Sequence, residues 1–412
     1  MNLIMTNTNN KLLDYLKWIC LLLIAFAVGC GSGQILGVAS VLSLIVCILD
    51  KKRFENLKND YFNKTILLIF FNIVVLLLLA FFESNNIGIK YALRIFEKIT
   101  SFLLIYILLG NIRYFLPISI LGLSLGLLYN NVLVVNDWLQ ALSVQNDNIR
   151  VRSLFGDPNK TGSIMELLLP FYMYFCYKFR TNIKLMFLSI LSIAGIVFCL
   201  YAANSRGAYM AVMTETIALM ALVFFRKKRL EIKIWKIIIV LAVCVVSIFC
   251  FASLYQRPYD GERILLWKAA WQMFCDYPLV GVGVSQFSEY YLSDYISPLA
   301  KEPYLPHPHN LFLYLLSTVG IIGFISNFMF YVWQIFVCWH NGRNHYIKTN
   351  ECIWLPDIFI VAIIGMFTHN LVDVLSTMRD YMLLYMFLWG SCCLEMRKYI
   401  MEDDRENVFK RK

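Results

Sequence analysis

The chain has 412 residues, 59% of them hydrophobic and only 16% charged, with a mean hydropathy of +0.64. Soluble domains carry about 25% charge, so soluble enzymes, disordered chains and collagen-like chains are excluded, and residues 1–412 read as a single all-α, polytopic membrane domain. The formal net charge of +10 does not mark a nucleic-acid binder, because the Lys and Arg residues gather between apolar blocks as orientation signals.

Apolar blocks fall at 13–29, 34–49, 65–82, 89–110, 114–135, 163–179, 185–202, 207–225, 236–254, 309–337, 357–374 and 381–395. They predict about twelve crossings, although the fourth carries Lys90, Arg94 and Lys98. Lys17 and the run Ile19–Val28 resemble a short signal sequence, but the second block follows at once, so the first is expected to stay as a crossing. Basic clusters at Lys51-Lys52-Arg53, Lys178/Arg180/Lys184, Arg226-Lys227-Lys228-Arg229 and Arg397–Lys412 each follow an even-numbered crossing. Positive-inside logic then places both termini in the cytoplasm and two long loops, 136–162 and 255–308, outside. Long loops usually carry function, so the external face is where chemistry is expected. The 12 cysteines lie mostly within apolar stretches and suggest no disulfide framework.

The larger loop, between the ninth and tenth crossings, predicts an amphipathic helix. Ile264, Trp267, Trp271 and Phe274 recur at helical spacing opposite Glu262, Lys268, Gln272 and Asp276, and Tyr277-Pro278 ends the pattern. Such a helix either lies in the membrane interface or packs as ordinary loop structure.

Three features are candidates for chemistry. In Ala203-Asn204-Ser205-Arg206-Gly207, an arginine stands between two apolar blocks with almost no loop to hydrate it. Arg263 opens the loop helix on the same side, and two guanidinium forks together suit a diphosphate. Pro306-His307-Pro308-His309-Asn310 directly precedes a crossing, so a histidine at its first turn is placed to act as a general base. His-x-His offers two metal ligands, but with no acidic or cysteine partner at suitable spacing no metal is expected.

Lesser features share that face. Asp157 and Asn159, with Arg150 and Arg152 nearby, form a polar turn that either contacts substrate or caps a helix. His369 and Asp373 are four apart on the eleventh block and are expected to pair on one helical face. Arg379-Asp380 reads as an external turn, and Gly281-Val282-Gly283 and Gly320-Ile321-Ile322-Gly323 as turns or close packing rather than a nucleotide fingerprint.

Taken in order, Asn204–Tyr209, Arg263–Trp271, Asp276–Gly283 with Phe287, and His307–Asn310 leading to Gly320–Gly323 resemble the O-antigen ligase and polymerase superfamily over roughly Arg150–Asp380. The resemblance implies a metal-independent, inverting glycosyltransferase of the bacterial inner membrane, multi-pass, with its active site facing the periplasm and no cofactor. Its partners would be a glycan on undecaprenyl diphosphate as donor, lipid A–core as the ligase's acceptor, and membrane lipids. By motif, Arg206 and Arg263 would hold the diphosphate and His309 would take the acceptor proton. His307 is the alternative base, and Asn310, Asp157, Asn159 and Asp373 are secondary candidates. An O-antigen polymerase, a protein-glycosylating oligosaccharyltransferase and a transporter or flippase of lipid-linked sugars are the rival readings.

Overall fold

The computed structural model describes residues 2–50, 60–108, 115–143, 150–227, 260–301, 304–349 and 354–410. The described residues form helices joined by turns, with no strand among them. In chain order they are α1 (Asn2–Cys30), α2 (Gly33–Leu49), α3 (Asp60–Phe82), α4 (Asn86–Leu93), α5 (Ile95–Lys98), α6 (Thr100–Leu108), α7 (Phe115–Ser143), α8 (Pro158–Lys178), α9 (Ile183–Ala203), α10 (Arg206–Lys227), α11 (Asp260–Asp276), α12 (Phe287–Tyr290), α13 (Leu311–Thr349), α14 (Trp354–His369) and α15 (Arg379–Lys410).

These helices are apolar on both faces because one face meets protein and the other lipid. In α3, Phe62, Thr65, Ile69, Asn72, Ile73, Leu76, Leu79 and Ala80 are buried, whereas Leu67, Phe70, Phe71, Leu78 and Phe81 are exposed. Small residues let backbones approach: an added Cβ at Gly126 of α7 would stand 2.5 Å from the Phe26 carbonyl oxygen of α1.

Among the described residues, five helical stretches are long and apolar enough to cross a membrane: Lys11–Cys30, Asp60–Phe82, Phe115–Ser143, Ile183–Ala203 and Leu311–Tyr346. That supports a helical membrane protein, while the count of twelve is not reached on this criterion. The reasons are local. α2 and α14 are apolar but only 17 and 16 residues long. The block 89–110 breaks into α4, α5 and α6 around a buried Lys98. The block 236–254 lies outside the described residues.

Two loop boundaries shift. α7 runs on to Ser143 and α8 starts at Pro158 with Asp157 as its cap, so helix occupies both ends of the segment 136–162. The expected loop helix forms as α11, but with a different face inward. Glu262, Leu266, Ala269, Ala270 and Met273 are buried, while Ile264 and Trp271 are exposed. The small alanines permit closer packing on α13 than the tryptophan stripe would, and Ile264 and Trp271 of that stripe face outward while Trp267 and Phe274 are half-buried.

The glycine motifs are structural. Segment 278–283 pairs with a kink in α13: Val282 N–H donates to the Ser317 carbonyl at 2.8 Å and Ile321 N–H to the Pro278 carbonyl at 2.9 Å. Gly281 (φ +76°) and Gly320 (φ +59°) sit at this crossing, where an added Cβ would meet the facing backbone at 2.4 and 2.3 Å. The pairing fixes the chain entering α13. The start of α8, the α9–α10 turn, the start of α11, the start of α13 and the end of α14 thus gather at one end of the bundle.

Candidate functional site

α9 ends at Ala203 because Asn204 adopts the left-handed conformation (φ 45°, ψ 50°) that asparagine tolerates. α10 begins two residues later, so Arg206 stands in its first turn, where the helix dipole adds positive potential. Arg206 Nη1 donates to Asp260 Oδ2 at 2.8 Å and its Nη2 to Asp260 Oδ1 at 2.5 Å, tying α10 to the first residue of α11. One helical turn on, Arg263 is half-buried. Among the described residues no carboxylate lies within ion-pair distance of it. Burial lowers the Arg263 guanidinium from its ordinary value, with Arg206 and Arg150 acting in the same sense and Asp373 and Asp260 opposing them.

Arg150 belongs to the same group. Its Nη2 donates to Asn159 Oδ1 at 2.9 Å, and the Ser205 hydroxyl donates to that same oxygen at 3.2 Å. Burial again comes first in lowering the Arg150 guanidinium, opposed by Asp157 and reinforced by Arg206. Asp157 is the N-cap of α8, accepting from the Asn159 and Lys160 N–H groups at 2.7 and 3.3 Å. Arg206, Arg263, Asn159, Ser205, Asp373 and His369 line one small open pocket. Two half-buried guanidiniums, Arg206 and Arg263, stand side by side in its lining and present their forks to an anion with several oxygens.

The histidines stand beside it. α13 starts at Leu311 rather than at His309, so the expected place of His309 in the first helical turn is corrected. His309 lies just ahead with φ 48°. Asn310 is a clamp: its Oδ1 accepts from Leu313 N–H and its Nδ2 donates to the Leu371 carbonyl, both at 3.0 Å, while Leu311 N–H donates to the Asn370 carbonyl at 2.8 Å. The indole N–H of Trp267 donates to the Pro308 carbonyl at 2.8 Å, joining the segment to α11. His309 Nδ1 faces Asp373 Oδ1 at 3.6 Å, an ion-pair separation just beyond hydrogen-bond reach. The ring's Nε2 is therefore the nitrogen left for a substrate proton.

His307 packs edge-on against His309, ring centroids 4.4 Å apart, and its Nδ1 accepts from the His309 backbone N–H at 3.3 Å. Burial pushes the His307 imidazole down to about 4, and the nearby His309 and Arg263 act in the same sense. A nitrogen that resists protonation and is occupied by a backbone N–H is a poor base, which favours His309 between the two.

The expected His369–Asp373 pair does not form. α14 ends at His369, and Asp373 lies in the turn beyond, so helical spacing no longer relates them. Asp373 turns to His309, and His369 Nδ1 lies 2.7 Å from Glu166 Oε2 of α8. Burial works to raise the Asp373 carboxyl, but His309, His369 and the Val374 N–H outweigh it and hold the group below the usual carboxylate range.

Asp373 also corrects the statement that no acidic partner accompanies His-x-His. The ligand atoms of His307, His309 and Asp373 lie within 4.8 Å of one another, a group able to hold a metal ion. Arg263 acts electrostatically on both His307 and Asp373, which opposes a cation there. Sequence reasoning missed Asp260, a loop aspartate with no local signal. It also missed Glu166, whose position inside an apolar helix is a signal by itself.

Fold and site together define a helical membrane protein that presents an arginine-lined anion pocket and a carboxylate-paired histidine at one end of its bundle. Residues 188–328, a stretch that carries Arg206, Arg263, His307, His309 and Asn310, match the family model described as O-antigen ligase (Wzy_C), and the match supports an O-antigen ligase/polymerase-type function in general. Arg150, Asn159, Glu166, His369 and Asp373 lie outside the matched stretch. No curated protein matches the chain.

Proposed function

We propose that the protein is an O-antigen ligase that transfers a glycan from undecaprenyl diphosphate to a sugar hydroxyl of lipid A–core. The observation that carries this reading is Arg263, a half-buried guanidinium with no carboxylate within ion-pair distance among the described residues, beside Arg206 in one pocket, with His309–Asp373 at its edge. A diphosphate supplies the missing negative charge and enough oxygens for both forks.

In this mechanism the acceptor oxygen attacks the anomeric carbon from the face opposite the diphosphate. Its proton passes to His309 Nε2, the bond from that carbon to the phosphate oxygen breaks, and configuration inverts. Asp373 stabilises the imidazolium that forms, and base removal contributes roughly 10²–10⁴-fold. Arg206 and Arg263 neutralise the charge growing on the diphosphate, so the leaving group departs as an anion without metal or general acid. Donor activation resides in the lipid diphosphate, so no nucleotide or cofactor enters.

The charge pattern supports a topology of about twelve crossings in the bacterial inner membrane, with termini cytoplasmic and the pocket facing the periplasm. The acceptor separates ligase from polymerase, and a deletion strain tests it. Loss of a ligase leaves core-only lipopolysaccharide with lipid-linked polymer accumulating. Core bearing a single repeat would show a polymerase instead.

A further inference from the structure

Beneath the pocket lies a histidine–glutamate pair that the reaction above does not use. The His369 side chain is 1% exposed and that of Glu166 0%, with Nδ1 and Oε2 2.7 Å apart. The other ring nitrogen points to the pocket: a Cβ added to Gly207 would stand 2.4 Å from His369 Nε2. Gly207 follows Arg206 directly, and both residues line the pocket with His369.

Glu166 Oε1 has no partner, and neither oxygen of the nearby buried Glu215 has one among the described residues. A buried carboxylate without compensation is costly, and two neighbouring buried carboxyls with no cation between them do not both ionise. The Glu166–His369 pair therefore carries no net charge, and two neutral arrangements leave no O–H stranded on Oε1. Either the carboxylic acid donates its O–H to Nδ1 of a neutral imidazole, or a carboxylate accepts N–H from an imidazolium. Both place a hydrogen on Nε2. An arrangement that turns a lone pair to the pocket leaves either an uncompensated anion in the core or, where protonated Glu166 accepts from Nδ1–H, an acid O–H on Oε1 with no partner among the described residues.

We infer that His369 Nε2–H is a third donor to the bound diphosphate, held in that orientation by Glu166 as a positioning residue. The inference rests on reading the pocket as a diphosphate site. Glycine at 207 fits the assignment, since a side chain there would occupy the line from Nε2 to the ligand. A fixed N–H strengthens its bond as negative charge grows on the departing diphosphate, so it assists release as well as binding.

The test measures binding of undecaprenyl diphosphate to the full chain in detergent, comparing wild type, His369→Phe, Glu166→Gln, Glu166→Leu and Arg206→Ala. His369→Phe is expected to bind about tenfold more weakly. Glu166→Gln donates an amide N–H to Nδ1, keeps the hydrogen on Nε2, and is expected to stay within about twofold of wild type, whereas Glu166→Leu falls with His369→Phe. Rescue by glutamine but not leucine separates positioning from simple packing. If His369→Phe does not fold, the two Glu166 variants carry the test. Equal binding by wild type, His369→Phe and Glu166→Leu, with Arg206→Ala impaired, overturns the inference and leaves the proposed function standing. Glutamine binding as weakly as leucine overturns the role given to Glu166. Unimpaired binding by Arg206→Ala overturns the diphosphate pocket itself.

Discussion

Arg206 and Asp260, 54 residues apart, meet as a two-point pair, Nη1 to Oδ2 at 2.8 Å and Nη2 to Oδ1 at 2.5 Å. The pair sets the plane of the guanidinium at the start of α10. Asp260→Asn keeps one acceptor but releases the fork, and is expected to lower kcat about tenfold with the donor KM little changed. Arg206→Lys cannot span two oxygens in one plane and is expected to lose about 10²–10³-fold. Steady-state kinetics check both, and near-normal turnover by Arg206→Lys contradicts the fork assignment.

Arg263 serves binding at the expense of folding. A half-buried cation without a carboxylate within ion-pair distance is partly desolvated at a cost to the free protein, and an apolar residue of similar length relieves that cost. Arg263→Met is expected to melt at or above the wild-type Tm while transfer falls by at least about 10²-fold. A lower Tm with transfer retained would assign the residue a structural role.

Asn310 ties the histidine segment to the turn after α14 through bonds to Leu313 N–H and the Leu371 carbonyl. Asn310→Ala removes both a helix cap and a buried clamp, and is expected to cost about 1–2 kcal/mol in denaturant unfolding. Because His309 is the preceding residue, kcat is expected to fall as well. Asn310→Asp keeps the cap and loses only the bond to Leu371.

His307 gives a pH dependence of stability whose sign follows from burial. Its folded-state value of about 4 lies below the ordinary 6.5. Above 6.5 the imidazole is neutral in both states and has no effect. As pH falls from 6.5 towards 4 the unfolded chain takes up a proton that the folded protein refuses, so this contribution to stability is lost across that window. Thermal unfolding between pH 7 and pH 4 is expected to show a shallower decline for His307→Phe than for wild type. Identical slopes contradict the buried, neutral assignment.

Much of the helical architecture was legible because apolar blocks and turn residues act locally. Asn204 ends α9 and Asp157 opens α8 by short-range hydrogen bonding, and both signals are visible in the chain. Arg206, Arg263 and His309 stood out because ionisable groups beside apolar blocks are costly. The partners were hidden because they arrive from far along the chain: Asp260 for Arg206, Asp373 for His309, Glu166 for His369. Helical spacing assigned Asp373 to His369, and that failed because α14 stops at His369. The inward face of α11 was misread because alanines, which allow close packing, give a weaker pattern than tryptophans.

The account depends most on Arg206, Arg263 and His309 acting on one lipid diphosphate-linked glycan. The most direct measurement is transfer by the purified protein in detergent, supplied with undecaprenyl-diphosphate-linked glycan and lipid A–core, without an ion gradient and with EDTA present. Wild type is expected to form glycan-bearing lipid A–core, and Arg206→Ala, Arg263→Ala and His309→Ala to form essentially none while eluting as folded protein. Full transfer by His309→Ala and the arginine variants, or wild-type transfer lost in EDTA and restored by a divalent metal, would contradict it.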